Sequence, residues 1–234
     1  MADPILRLSG IRKQYRGLRP LRLQSLDLAP GERVALSGFD AGAAEVLVNL
    51  VTGASIPDEG TVEVAGRSTA SISDGDEWLS TLDQFGIVSP RAVLLDTASL
   101  LQNLAMPLTL EIEPVPTEIA SQVAGLADEV GLEAATLSRP IAGLDASTRA
   151  RAHLARAIAL GPSLLIMEHP TVGFPSGESK PFGETVAHVA SARSLATLMI
   201  SEDVEFALAA ANRRLALQPA TGELRPPRRR LFGL

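Results

Sequence analysis

The residues whose types and spacing bear most directly on chemistry lie between Gly38 and Glu45. A phosphate-binding loop follows the pattern GxxxxGK and then Ser or Thr, in which backbone N–H groups, the lysine and the hydroxyl hold phosphate and its metal. Counted from Gly38, the last three positions are Ala43, Ala44 and Glu45. A contact of about 1.5–3 kcal/mol is lost without the lysine, and a carboxylate about 4 Å from a phosphate costs about 4 kcal/mol. The segment predicts weak or absent phosphate binding, and taken alone it is more typical of an ordinary strand-to-helix turn.

The elements that must position this segment follow from the apolar pattern. Alternating runs predict strands at 5–11, 21–28 and 34–36, then a loop at 37–42 and a helix at 43–51. The elements expected after that are a strand at 61–64, helices at 98–106, 116–130 and 147–160, a strand at 164–167, a helix at 178–192, a strand at 195–200, a helix at 204–211 and a strand at 214–217. Such alternation predicts an α/β fold with a parallel central sheet, preceded by an antiparallel β layer and interrupted by a helical lobe.

Composition limits the classes of function. The chain has 234 residues, of which 46% are hydrophobic and 3% aromatic, and this suits one large α/β domain rather than a base-stacking surface. The net charge of −6 provides no basic field for nucleic acid. With no cysteine there is no disulfide or thiolate chemistry, and the N-terminus lacks the pattern of a signal peptide. No apolar stretch approaches the roughly 20 residues that span a bilayer, so we expect a cytoplasmic protein that reaches a membrane only through partners.

Beyond the loop, the sequence resembles the ATP-binding subunits of ABC transporters from about residue 5 to residue 224. The stretch 26–32 (LDLAPGE) is similar to the family's opening hairpin, and Tyr15 stands where an aromatic residue stacks on adenine. The stretch 154–160 (LARAIAL) resembles the helix that follows the LSGGQ signature. The resemblance implies an ABC-ATPase-like core at 1–90 and 144–224, a helical lobe at 91–143 and a basic tail at 225–234.

The resemblance also places the family's functional positions on residues of different chemistry. The glutamine that contacts metal and membrane subunit corresponds to Pro90, and the switch histidine corresponds to Glu202. In the segment that resembles the Walker B strand, Glu168 could hold Mg²⁺ through water, whereas His169 replaces the catalytic glutamate. The glycine-rich signature falls on a segment without glycine: Leu144, Asp145, Ala146, Ser147 and Thr148.

We interpret all of these positions as vestigial, with no catalytic residue and no metal site. Tyr15 is an adenine platform or a packing aromatic, and packing is favoured because the phosphate loop is altered. His169 is interpreted as a strand-end histidine, and Glu45 as a carboxylate that stabilises the first helical turn. We expect the Glu45 carboxylate or Asp40 to lie near the helix N-terminus, in place of phosphate. The vestigial nucleotide-binding positions are Tyr15, Gly38, Gly42, Ala43, Ala44, Glu45, Pro90, Glu168, His169 and Glu202.

The leading hypothesis is a non-catalytic ABC-type subunit that binds ATP and magnesium weakly or not at all. It would act structurally or as a regulator beside a membrane permease, an intact ATPase subunit or a second copy of itself. We expect it at the inner face of a membrane, without a nucleic-acid partner and without inserting into the bilayer. One alternative is an active ATPase with Glu168 on the metal and His169 as the base. Another is a cytosolic protein-binding module that serves no transporter.

Overall fold

An antiparallel sheet forms the first layer in the computed structural model, which describes residues 3–227. It consists of β1 (Leu6–Lys13), β2 (Leu21–Leu28), β4 (Glu59–Val64) and β5 (Arg67–Ser68), in the order β2-β1-β4-β5. Every pair in this sheet is antiparallel. Apolar side chains alternate along β1 and β2 because only one face of each strand is buried. The predicted antiparallel layer is therefore confirmed.

A six-stranded sheet forms the second layer. Its strands are β3 (Arg33–Ser37), β6 (Phe85–Val88), β7 (Leu164–Glu168), β8 (Ala196–Ile200), β9 (Arg213–Gln218) and β10 (Glu223–Arg225). They lie in the order β10-β9-β3-β8-β7-β6, and all neighbours are parallel except β9 and β10. Every residue of β7 and β8 is buried, as expected for continuous apolar strands covered on both faces. The predicted parallel central sheet is confirmed.

The helices lie between these strands in the chain. Their bounds are α1 (Ala41–Val51), α2 (Gly75–Thr81), α3 (Leu100–Ala105), α4 (Thr117–Glu129), α5 (Ala146–Ile158), α6 (Ser179–Ala192) and α7 (Val204–Ala210). The sequence pattern did not predict α2, a polar helix without a buried residue, whose start is capped by Asp74. Helix α1 begins two residues earlier than predicted because Asp40 caps it. Among residues 3–227, no helix has both the length and the apolarity to cross a bilayer.

The segment 91–143 contains less helix than predicted. It holds α3, α4 and two 3-10 turns, joined by irregular segments. Helix α3 is confined to 100–105 because Ser99 begins it with a capping box, in which the Ser99 and Gln102 side chains satisfy each other's backbone N–H groups. Its apolar side chains share one hydrophobic cluster with α5, α6 and the sheet. The helical lobe is therefore packed directly on the core.

Three phenylalanines pack against one another in this chain, which has few aromatic residues. Phe182 of α6 is fully buried and stacks on Phe206 of α7, with 5.8 Å between ring centroids. Phe174 meets the Phe182 ring edge-on at 5.4 Å. The cluster fixes α6 against α7 and holds the turn that follows β7. At the other end of the chain, Arg225 lies in β10 rather than in a tail, and residues 228–234 of the predicted basic tail 225–234 lie outside the described residues.

Candidate functional site

The segment that resembles a phosphate loop is closed by its own side chains. Asp40 caps helix α1, and its Oδ1 accepts a hydrogen bond of 2.7 Å from the Ala43 N–H. Gly42 and Ala43 therefore belong to the first helical turn rather than to the loop. In a working phosphate loop the N–H groups at a helix start face the ligand. Here an aspartate of the chain already takes up one of them.

A second carboxylate binds the same loop from across the sheet. Glu202, which follows β8, accepts a hydrogen bond of 2.5 Å from the Gly38 N–H and one of 3.3 Å from the Phe39 N–H. Strands β8 and β3 are parallel neighbours, so their carboxyl ends lie at the same edge of the sheet. The residue at the position of the switch histidine thus places a negative charge where a phosphate-binding loop offers its donors.

Gly38 keeps the conformation of the loop for a reason of packing. Its φ is +85°, in the left-handed region that favours glycine. A Cβ atom at this position would lie 3.0 Å from the Leu217 carbonyl oxygen and 3.3 Å from the Leu217 nitrogen in β9. The close strand and the left-handed backbone therefore favour glycine here whether or not a ligand binds.

Arg91 connects the remaining acidic positions, and the sequence analysis missed it. Its Nη1 donates to Glu45 Oε1 at 2.9 Å, and its Nη2 donates to Glu168 Oε2 at 2.7 Å. We call this Glu45–Arg91–Glu168 arrangement the Arg91 bridge. Glu45 was expected to stabilise the first turn of α1, and that interpretation is wrong because it lies beyond that turn, half exposed, and pairs with Arg91.

The carboxylate of Glu168 is the buried member of the bridge. Its side chain is 4% exposed, compared with 41% for that of Arg91. The same Oε2 accepts a further hydrogen bond of 2.8 Å from Ser89 Oγ, which also accepts one from the Arg91 N–H at 3.1 Å. Pro90 lies between these two residues at the surface. Glu168 ends an entirely buried strand, and this could have indicated that a cation must lie near it.

Tyr15 packs on the start of helix α1. A Cβ atom built on Gly42 would lie 3.1 Å from Tyr15 Cε2, so the ring lies directly against this glycine. The side chain is partly buried and packs against the cluster between the two sheets. Burial and, to a smaller extent, the charge of Asp40 raise the pKa of the Tyr15 hydroxyl. The interpretation of Tyr15 as a packing aromatic rather than an adenine platform stays a prediction.

His169 follows β7 directly, in a strained conformation. Its φ is +43°, and its backbone N–H donates to the Ile200 carbonyl at 2.8 Å. Within the part of the chain that the structure describes, its buried Nε2 has no hydrogen-bond partner. A general base must reach the water it activates, and this nitrogen is enclosed by protein. The interpretation of His169 as a strand-end histidine without a catalytic role stays a prediction.

The signature segment forms the start of helix α5 and is also closed by a carboxylate. Asp145 caps the helix, with its Oδ1 accepting from the Thr148 N–H at 2.7 Å, and this hydrogen bond lowers the pKa of Asp145. Leu144 is buried, and the first helical residue is Ala146. Ser147 is 8% exposed and donates to Glu178 at 3.1 Å. These hydrogen bonds stay within the segment or go to Glu178, whereas the loop, Glu168 and Glu202 lie together at the carboxyl edge of the sheet.

One titratable group of α5 makes the stability of the protein depend on pH. Burial, followed by the charges of Arg156 and Arg149, lowers the pKa of His153 to about 4. The unfolded histidine has a pKa of about 6.5, so it binds a proton first as the pH falls. His153 is partly exposed, and we expect the folded protein to lose about 1–2 kcal/mol between pH 6.5 and 4 through this group.

A His153→Gln variant tests this expectation. The variant should match the wild type in urea denaturation at pH 7 and should lose less stability between pH 6.5 and 4. The difference between the two curves removes the contributions of the other titrating groups. Parallel stability curves for the two proteins over this range would contradict the expectation.

Comparison with known proteins relates these segments to a family. The family model described as ABC transporter matches residues 21–172, more than half of the chain. The lipoprotein-releasing system ATP-binding protein LolD of Pseudomonas fluorescens is 28% identical over 182 residues, covering 78% of this chain and 79% of LolD. The ABC transporter ATP-binding protein YxdL of Bacillus subtilis is 27% identical over 202 residues, covering 85% of this chain and 78% of YxdL.

Solved structures show the same fold. The dimeric ATP-binding cassette MJ0796, bound to ADP and Pi, has a TM-score of 0.77 at 20% identity, covering 98% of this chain and 100% of that one. The protein cbiO1 from Clostridium perfringens, part of the transporter complex cbiONQ, has a TM-score of 0.79 at 17% identity, covering 96% and 88%. The fold and the family match agree, and this chain therefore belongs to the ABC transporter ATP-binding domain family.

Proposed function

We propose that this chain is a non-catalytic subunit of an ABC transporter, with a structural or regulatory role beside a membrane permease or an intact ATPase subunit. The observation that carries the proposal is the Arg91 bridge, in which one arginine donates to both Glu45 and Glu168. The chain supplies its own cation at the position where its family holds a metal ion. It also supplies its own anions at the helix starts where phosphates bind.

The charges of the site fit Mg-ATP poorly. Three carboxylates, those of Asp40, Glu45 and Glu202, lie along the segment that would receive the triphosphate. Each would cost about 4 kcal/mol at 4 Å from a phosphate charge at a surface-like dielectric. Ala44, which replaces the lysine, is fully buried and offers no charge in return. We infer that ATP at millimolar concentration leaves most of the protein unbound.

An active ATPase with unusual residues is the second candidate and has less support. It would need Glu168 to hold the metal, but that carboxylate accepts hydrogen bonds from Arg91 and Ser89 and is nearly buried. It would also need His169 as the base, but the Nε2 atom of this side chain is enclosed by protein. We therefore assign no catalytic residue.

The partner class is inferred from the relatives. LolD is named as the ATP-binding protein of a lipoprotein-releasing system, and PvdT of Pseudomonas entomophila, 32% identical over 178 residues, as an export ATP-binding/permease protein. The match covers 73% of this chain but only 27% of PvdT. We infer that a separate permease at the inner face of a membrane binds this chain, either with an intact ATPase subunit or with a second copy of it. The relatives favour this over a protein-binding module that serves no transporter.

Calorimetry with Mg-ATP tests the proposal directly. We expect no binding heat at micromolar nucleotide and no phosphate release above the background, with LolD measured alongside as the positive control. Purification of the tagged chain from its native membranes should bring a membrane-spanning permease with it. A dissociation constant in the micromolar range, or steady ATP turnover by the purified chain, would contradict a non-catalytic role.

A further inference from the structure

The segment between β6 and α3, residues 89–99, joins the core to the helical lobe, and Arg91 fastens its beginning. Through the Arg91 bridge it is attached to α1 by Glu45 and to β7 by Glu168. Arg91 Nε also donates to Glu168 Oε2, at 3.2 Å, so two nitrogens of the guanidinium contact this carboxylate. Ser89 adds a hydrogen bond to the same oxygen. The beginning of the segment is thus held by two elements of the core.

The rest of the segment is fastened to helices α3 and α5. Asn103, which is completely buried, accepts from the Leu95 N–H at 2.8 Å and donates to the Leu95 carbonyl at 3.1 Å. Arg156 donates to the Val93 carbonyl at 2.7 Å, and Arg149 lies 3.5 Å from the carboxylate of Asp96. Side chains of four elements therefore determine the course of one connecting segment.

We propose that the Arg91 bridge is a built-in lock that fixes the beginning of segment 89–99, the connection between the core and the helical lobe, without any ligand. This inference rests on the proposed function, since it assigns to Arg91 the role that a bound cation would otherwise have. A ligand-dependent connection is fixed only while the ligand is bound. The Arg91 guanidinium is part of the chain and is always present, so the arrangement of segment 89–99 does not depend on nucleotide.

The chemistry of arginine suits this role. The planar guanidinium presents separate N–H groups to two carboxylates, whereas a lysine ammonium is a single point charge. Glu168 is almost buried, and an ionised carboxylate in that position requires a cation beside it. Removing the guanidinium should therefore break the connection to α1 and leave the hydrogen bond of Ser89 to hold the segment at Glu168 of β7.

Hydrogen exchange of the full chain, read by mass spectrometry, tests the lock. In an Arg91→Met variant we expect amides of 89–99 to exchange about tenfold faster or more, because their opening no longer breaks the bridge. Arg91→Lys should give a smaller increase, since lysine can keep only one partner. Arg12→Met is the matched control: Arg12 has the same 41% side-chain exposure, but its partner is the exposed Glu59. This control should leave 89–99 unchanged.

A double variant and a measurement with Mg-ATP separate the lock from poor folding and from the proposed function. If Arg91→Met folds poorly, Arg91→Met with Glu168→Gln removes the unpaired charge and should still exchange faster at 89–99. Wild-type rates there in this double variant, or an increase spread evenly over the chain in both Arg91→Met variants, would overturn the lock. Mg-ATP should leave exchange of the wild type unchanged. Slower exchange at 38–45 with Mg-ATP would count against the proposed function, whereas the Arg91 variants decide on the lock.

Discussion

ATP binding is expected to return when Ala44→Lys, Glu45→Ser and Glu202→Ser are combined in one variant. The lysine adds a charge-assisted contact of about 1.5–3 kcal/mol. Each glutamate removed relieves a repulsion of up to about 4 kcal/mol. Such terms are not additive, so we take about 4 kcal/mol as the expected gain, which is about a thousandfold in affinity. Calorimetry of wild type and variant measures it.

The structure makes Glu202 a necessary part of this repair. Its carboxylate holds the Gly38 and Phe39 N–H groups in the folded protein. Ala44→Lys with Glu45→Ser alone should therefore bind at least about tenfold more weakly than the triple variant. Replacing the lysine by Ala44→Met in the triple background controls for length without charge. Equal affinity of the double and triple variants would show that Glu202 does not compete for the loop.

Hydrolysis should not return with binding. His169 still stands where the catalytic glutamate is expected, and its Nε2 is enclosed by protein. Asp145 still caps α5 with a negative charge where the signature would meet a phosphate. We expect phosphate release by the triple variant to stay far below about 1 per second, the low end of typical enzymes. Turnover near that rate would show that Glu168 or His169 has a catalytic role.

Phe182→Ala is expected to cause the largest loss of stability among single substitutions considered for this chain. The ring is fully buried between Phe174 and Phe206, and the Arg151 guanidinium lies 5.8 Å from its centroid. Truncating a buried phenylalanine to alanine costs about 3–5 kcal/mol, because apolar contacts are lost and a cavity remains. Urea denaturation at pH 7 measures the loss.

A conservative variant separates packing from other causes. Phe182→Leu keeps an apolar side chain and leaves a smaller cavity, so it should cost clearly less than Phe182→Ala. The turn at 171–175 should also become more sensitive to protease in Phe182→Ala, since Phe174 loses its partner. A loss below about 1 kcal/mol for Phe182→Ala would mean that the surrounding helices close over the gap.

The sequence was sufficient to predict the layers of the fold because its apolar patterns are local. Strands such as Leu164–Glu168 are continuous and buried on both faces, and helices such as α1 and α3 begin at residues whose side chains cap them. Where polar composition hid an element, as in helix α2, the pattern failed. The short helices at 91–143 were overestimated because capping and irregular turns interrupt an apolar run.

The sequence was sufficient to predict which positions belong to the site, but not which residues contact one another there. The altered residues at 43–45, 168–169 and 202 were identified, but their partners lie far along the chain. Arg91 is separated from Glu45 by 46 residues and from Glu168 by 77, and Glu202 is 164 residues from Gly38. No local motif marks an arginine after a proline as a partner of buried acid. Only the parallel order of the strands brings these residues to one edge.

The conformation of Gly38 has a consequence for the way such chains are detected. A Cβ atom at Gly38 would crowd the backbone of β9 and would require a left-handed conformation, so alanine there would be strained whether or not a ligand binds. Packing in the folded protein would then favour this glycine even in a chain that lacks the lysine and hydroxyl of the motif. A motif search that gives weight to the glycine therefore reports on the packing of the fold, and the lysine and hydroxyl positions report on phosphate binding.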